Sequence, residues 1–181
     1  YIMTFGTFAG LSAQFGLLMN QLYGAAGNAS QVVGFVPVDA VKYVFLGPLI
    51  GAGARVLFAP LTDRTGGAIW TLVSGIGVIA SIILTLPGLT PDHTSAVTMQ
   101  HDFKTFLWGM LAIFLFSGIG NASTFKQMPM IFERRQAGGV IGWTGAIAAF
   151  GPFLFGVGLT IMPPFTDVKD KLVRNWLGKL R

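Results

Sequence analysis

A single arginine, Arg55, stands in an otherwise uncharged run, YVFLGPLIGAGARVLFAPLT, from Tyr43 to Thr62. At roughly 1.5 Å per residue that run is long enough to cross a bilayer. A cation near the middle of a membrane helix costs roughly 3 kcal/mol or more, so it persists where something compensates it. No aspartate or glutamate lies in the same span or in the core of another apolar run. The expected partner is therefore an anion from outside the chain. Guanidinium suits that role because it stays protonated and presents a planar fork of donors, which lysine does not.

The elements that must hold this arginine are apolar helices. Hydrophobic residues make up 52% of the chain and charged residues 10%, with a mean hydropathy of +0.66. A soluble domain carries about 25% charge. Five apolar runs of membrane-spanning length follow one another, over about 1–23, 43–61, 68–86, 103–125 and 140–162. None alternates polar and apolar residues as barrel strands do, and backbone in lipid must satisfy its own hydrogen bonds. The expected fold class is an all-α membrane protein embedded in the lipid bilayer. The first run opens at Tyr1 already apolar, with no charged segment and cleavage site before it. That start points to a preceding part outside this sequence rather than to a signal peptide.

Charge sets the expected orientation. Arg64 lies between the second and third runs, and Lys126, Arg134 and Arg135 lie between the fourth and fifth. The opposite side carries Lys42 and Lys104. The bias places the first pair of connections in the cytoplasm. Residues 163–181 hold five basic residues and are expected to be either an amphipathic interfacial helix or an aberrant end. The net charge of +5 marks the ends of apolar runs rather than one polar face, so no nucleic-acid partner is expected. The chain has no cysteine, and no nucleophile–base set, metal cluster or phosphate loop is visible, which argues against a soluble enzyme and implies no cofactor.

Three stretches carry a family resemblance. GPLIGAGARVLFAPLTDRTGG ends in Asp63, Arg64 and Gly67, a short charged reversal that resembles the cytoplasmic loop motif of the major facilitator superfamily. SGIGNASTFKQMPMIF, Ser117 to Phe132, and GWTGAIAAFGPF, Gly142 to Phe153, resemble stretches of the nitrate/nitrite porters within it. The order matches helices seven to eleven of a twelve-helix porter, over Tyr1 to about Thr160.

The resemblance implies two six-helix halves with the anion bound between them, this chain being the C-terminal half and the N-terminal half missing. It implies that Arg55 is one of two clamping arginines, that Tyr1 and Phe5 flank the anion, and that Gly142, Gly145 and Ala146 bring backbone close to it. Asp63, Arg64 and Gly67 would form a cytoplasmic gating motif. Nitrate and nitrite are the implied partners, and a multi-pass place in the inner (plasma) membrane the implied location. Gly145 replaces a serine found in some members, and Asn121 and Ala122 stand where small residues or glycine are usual. The absence of an ionisable relay within the spans favours exchange over proton symport. Transport of another small anion, or a non-transporting sensor or assembly component, would suit the residues alone.

Overall fold

A computed structural model describes residues 1–25, 27, 29, 32–91 and 94–158. The tail at 163–181 and the end of the fifth run lie outside the described residues. The helices are α1 (Ile2–Tyr23), α2 (Leu46–Thr65), α3 (Gly67–Leu89), α4 (Ala96–Ile131) and α5 (Arg134–Ala148). A turn at Ala149 separates α5 from a further helical stretch, 150–158. Five segments are long and apolar enough to cross a membrane, the last combining α5 with that stretch. The chain is thus a multi-pass membrane protein of α-helices.

The pattern on α3 shows why the bundle forms as it does. Ser74, Gly77, Ser81, Thr85 and Gly88 recur every three or four residues and are buried. Ile69, Leu72, Ile76, Ile79, Ile83 and Leu86 occupy the other faces and are exposed. In water this would be inside out; in lipid the large aliphatics dissolve in the acyl chains and the small stripe admits a close neighbour. That neighbour is α4, antiparallel to α3. A methyl group at Gly77 would fall on the Phe116 ring, and one at Gly88 on the Phe106 backbone. Hydroxyls on the seam are satisfied: Ser74 donates to the Phe116 carbonyl (2.7 Å), Thr85 to that of Ser81 (2.6 Å), and Thr71 pairs with Ser123 (2.9 Å).

α4 is the axis of the bundle, its apolar span 61% buried. On its second side lies α2, running parallel, with Gly47 against Phe114 and Gly51 against Gly118. The G-x-x-x-G spacing of Gly47 and Gly51 therefore serves helix packing. α1 lies on the third side, antiparallel. Phe15 meets Phe106 and Phe114, and Tyr23 meets Phe103 while its hydroxyl donates to the Gly88 carbonyl. Elsewhere α1 touches the 150–158 stretch at Gly6, whose neighbour is the backbone of Gly151.

Several boundaries differ from the hydropathy reading. α4 covers 36 residues where 103–125 was expected. At 1.5 Å per residue it is roughly 54 Å long, well beyond a hydrocarbon core of roughly 30 Å. Its polar ends extend the helix because helix formation does not stop where hydropathy does. Ser95 starts it, its hydroxyl accepting from the Thr98 amide, and Lys126 lies in the helix rather than in a loop. Arg64 likewise falls in the last turn of α2, and Gly66 at φ +87° makes the reversal. Ala40–Lys42 forms a 3₁₀ turn ahead of α2, with the Asp39 carboxylate accepting from the Val41 amide.

Candidate functional site

α1 begins with aromatic residues at Tyr1, Phe5 and Phe8, one helical face at i, i+4 and i+7. Tyr1 and Phe5 stack at 5.5 Å between centroids. Across from this stripe, α2 turns its small residues Gly51 and Ala54 toward the bundle, which carries Arg55 around toward α1. The guanidinium carbon lies 4.3 Å from the Phe8 ring centroid and 5.8 Å from that of Phe5. α4 completes the wall with Asn121, Ala122, Phe125 and Lys126, and α5 adds Ile141. Tyr1 closes on Phe125 edge to face at 4.6 Å. Arg55 and Ala59 of α2 close these α4 and α5 residues around a cavity of about 360 Å³, at the small end of the roughly 300–1,000 Å³ typical of ligand sites. The aromatic stripe of α1 lies behind it, against Arg55 and Phe125.

Polar satisfaction in and behind this cavity is incomplete. Arg55 Nε and Nη2 are buried and have no hydrogen-bond partner, and neither do Ser117 Oγ nor the two amide atoms of Asn121. Among the described residues Arg55 has no carboxylate partner either. Cation–π contact with two rings is worth roughly 0.5–2 kcal/mol each, set against roughly 3 kcal/mol or more for a mid-membrane cation. The rings offset part of the cost and leave the edge of the fork free. A bound anion would supply charge-assisted hydrogen bonds worth roughly 1.5–3 kcal/mol each. The arrangement presents unpartnered guanidinium donors beside aromatic rings, the chemical complement of an anion.

The site residues expected from sequence fall into three groups. Arg55, Phe5 and Tyr1 come together. Gly142, Gly145 and Ala146 do not line the cavity; their neighbour Ile141 does. Among the described residues nothing lies within 4 Å of a methyl group built on Gly142 or Gly145. Asp63 and Arg64 sit two turns beyond Arg55 on α2, with Arg64 exposed and Gly67 packed against Ser123 and Gln127. Asp63 is linked to the cavity indirectly, since Lys126 at the rim places its ammonium 2.9 Å from the Asp63 carboxylate.

Sequence reasoning missed Phe8 and gave no site role to Asn121, Phe125, Lys126 or Ile141. Phe8 could have been found from its spacing, three residues after Phe5 and seven after Tyr1. Asn121 carried a stronger signal, a lone amide inside an apolar helix.

No family model and no solved structure matches the chain. Among curated proteins it is similar to a probable nitrate/nitrite antiporter, NarK2, of Thermus thermophilus, with 54% identity over 155 residues, covering 86% of this chain and 32% of that protein. It is also similar to the nitrate/nitrite transporter NarU of Escherichia coli, at 32% identity over 137 residues, covering 74% of this chain and 25% of that protein. NarU of Salmonella typhimurium is 31% identical over 137 residues, with the same coverage. The chain thus spans about a quarter to a third of the length of these relatives. The motifs around Arg55, Ser117–Phe132 and Gly142–Phe153 fall in one all-helical membrane bundle, and the identity to these relatives extends over most of the chain. On these grounds the chain belongs to the nitrate/nitrite porter family of the major facilitator superfamily.

Proposed function

We propose that the chain is the anion-binding C-terminal half of a secondary transporter that exchanges nitrate and nitrite across the cytoplasmic membrane. The observation that carries the proposal is the unpartnered guanidinium fork of Arg55, which lines a cavity and is flanked by the Phe8 and Phe5 rings. Nitrate and nitrite are planar monoanions with acceptor oxygens that match this fork bidentately. Phe5 and Tyr1 flank the anion. The face of α5 with Gly142, Gly145 and Ala146 meets the six-helix N-terminal half, and alternating access rocks the two halves about the shared site. Exchange needs no titratable relay, because one monoanion replaces the other on Arg55. The names of the relatives support the substrates and, for the Thermus protein, the antiport mode. Asp63, Arg64 and Gly67 gate the cytoplasmic side.

The test is counterflow of labelled nitrate against nitrite in proteoliposomes holding the complete porter. Arg55→Lys keeps the charge but loses the fork, and losing one charge-assisted hydrogen bond should weaken nitrate binding by roughly tenfold to more than a hundredfold. Arg64→Lys should change turnover with little change in affinity. A fully active Arg55→Lys variant, or equal losses of affinity in both, would sink the assignment.

A further inference from the structure

Most buried hydroxyls in this bundle find an acceptor, those of Ser74, Ser81, Thr85 and Ser123 included. Asn121 does not. Its side chain is 1% exposed, and both its amide nitrogen and its amide oxygen lack partners. Polar side chains in membrane bundles usually hydrogen-bond across to a neighbouring helix, and an unpaired amide in an apolar setting is costly. Asn121 is therefore not serving as glue between helices. Its position explains what it faces instead. α2 and α4 run parallel with Gly51 against Gly118 and Asp63 against Lys126, so one turn on from the first contact Arg55 stands level with Asn121 and Ala122. Both Arg55 and Asn121 line the same cavity.

Resting on the anion-site reading above, we infer that Asn121 lets the site distinguish nitrate from nitrite by donating its amide N–H to the oxygen that nitrate has and nitrite lacks. A guanidinium fork engages two oxygens side by side. In nitrite those are all the oxygens there are. In nitrate a third projects away from the fork and needs its own donor in a site walled by hydrocarbon, where an unmatched acceptor costs binding. Asn121 Nδ2 carries two N–H groups, and nothing among the described residues uses them. Its Oδ1 remains free to accept from Arg55 or from water.

The experiment compares half-saturating nitrate with the inhibition constant of nitrite for exchange by the complete porter in proteoliposomes. Asn121→Leu keeps approximate volume and removes the donor. It should raise half-saturating nitrate by about tenfold while moving the nitrite constant by no more than about twofold. Asn121→Ala is measured alongside and read in the same way, so the comparison survives if leucine prevents insertion. Unchanged nitrate affinity, or equal losses for both anions, would overturn the role given to Asn121. Failure of the underlying reading looks different, because Arg55→Lys would then keep wild-type affinity for both anions.

Discussion

Lys126 at the rim of the cavity and Asp63 at the end of α2 form an ion pair of 2.9 Å. The pair ties the wall of the site to the charged reversal between α2 and α3. Both side chains are about half exposed, so the pair is worth little to stability, on the order of 0–1 kcal/mol. Its effect should appear in anion capture instead. Lys126→Gln leaves the Asp63 carboxylate uncompensated near the rim, whereas Asp63→Asn frees the ammonium. Anion affinity should fall in the first and rise in the second, by roughly two- to fivefold at low ionic strength, and both effects should fade as salt is added. Shifts of the same sign in exchange assays would contradict this.

The rings over Arg55 should matter less than the fork itself. Phe8→Leu removes the nearer of the two cation–π contacts, worth roughly 0.5–2 kcal/mol. Nitrate affinity should drop by a few-fold because Arg55 is held less firmly, and Phe8→Trp should restore it. A Phe8→Leu loss as large as that of Arg55→Lys would mean that the ring, not the guanidinium, dominates binding.

Two glycines on α3 separate packing from helix propensity. A methyl group at Gly77 meets the Phe116 ring, while one at Gly75 has nothing within 4 Å. Gly77→Ala should destabilise the detergent-solubilised protein by about 1–3 kcal/mol. Gly75→Ala should be neutral, or stabilising by up to about 1 kcal/mol. Thermal unfolding followed by circular dichroism distinguishes them, and matching melting temperatures would refute the small-residue seam.

Topology is open to direct labelling, since the chain has no native cysteine. The contact between Lys126 and Asp63 places the end of α2 at the same end of the bundle as the end of α4. Single cysteines at Thr65 and Gln136 should react with an impermeant maleimide from one face, and one at Val41 from the other. Reactivity of Thr65→Cys and Gln136→Cys from opposite faces is the result that would reject this arrangement.

Much of the architecture was readable because membrane helices obey a strong rule: long apolar runs must form internally bonded structure. Arg55 stood out for the same reason, as a lone cation in such a run. Boundaries were less readable. Hydropathy marks where lipid ends, not where a helix does, so the polar turns of α4 at His101, Asp102 and Lys126 passed for loop. The far wall of the cavity was hidden for a different reason. Whether Asn121 is glue or a free donor depends on its neighbours on α2 and α5, and no pattern along α4 alone records that. Phe125 and Ile141 look like ordinary lipid-facing residues until the helices are set side by side. The glycines of α5 entered through resemblance alone, and among the described residues nothing packs within 4 Å of a methyl group placed on Gly142 or Gly145.

The bare meeting of Gly6 with Gly151 has a mechanical consequence. Where helices cross through interlocked side chains, tilting one over the other means unseating rotamers and reseating them elsewhere. Where Gly6 meets Gly151 backbone lies on backbone, with no rotamers to freeze or release, and the one large side chain beside it, Phe155, rests on the bare face of Gly10. The crossing can act as a fulcrum: a point that holds two rods together while leaving their angle cheap to change. Any residue larger than glycine there would turn the fulcrum into a wedge, prising α1 and its aromatic stripe away from the helix that follows α5.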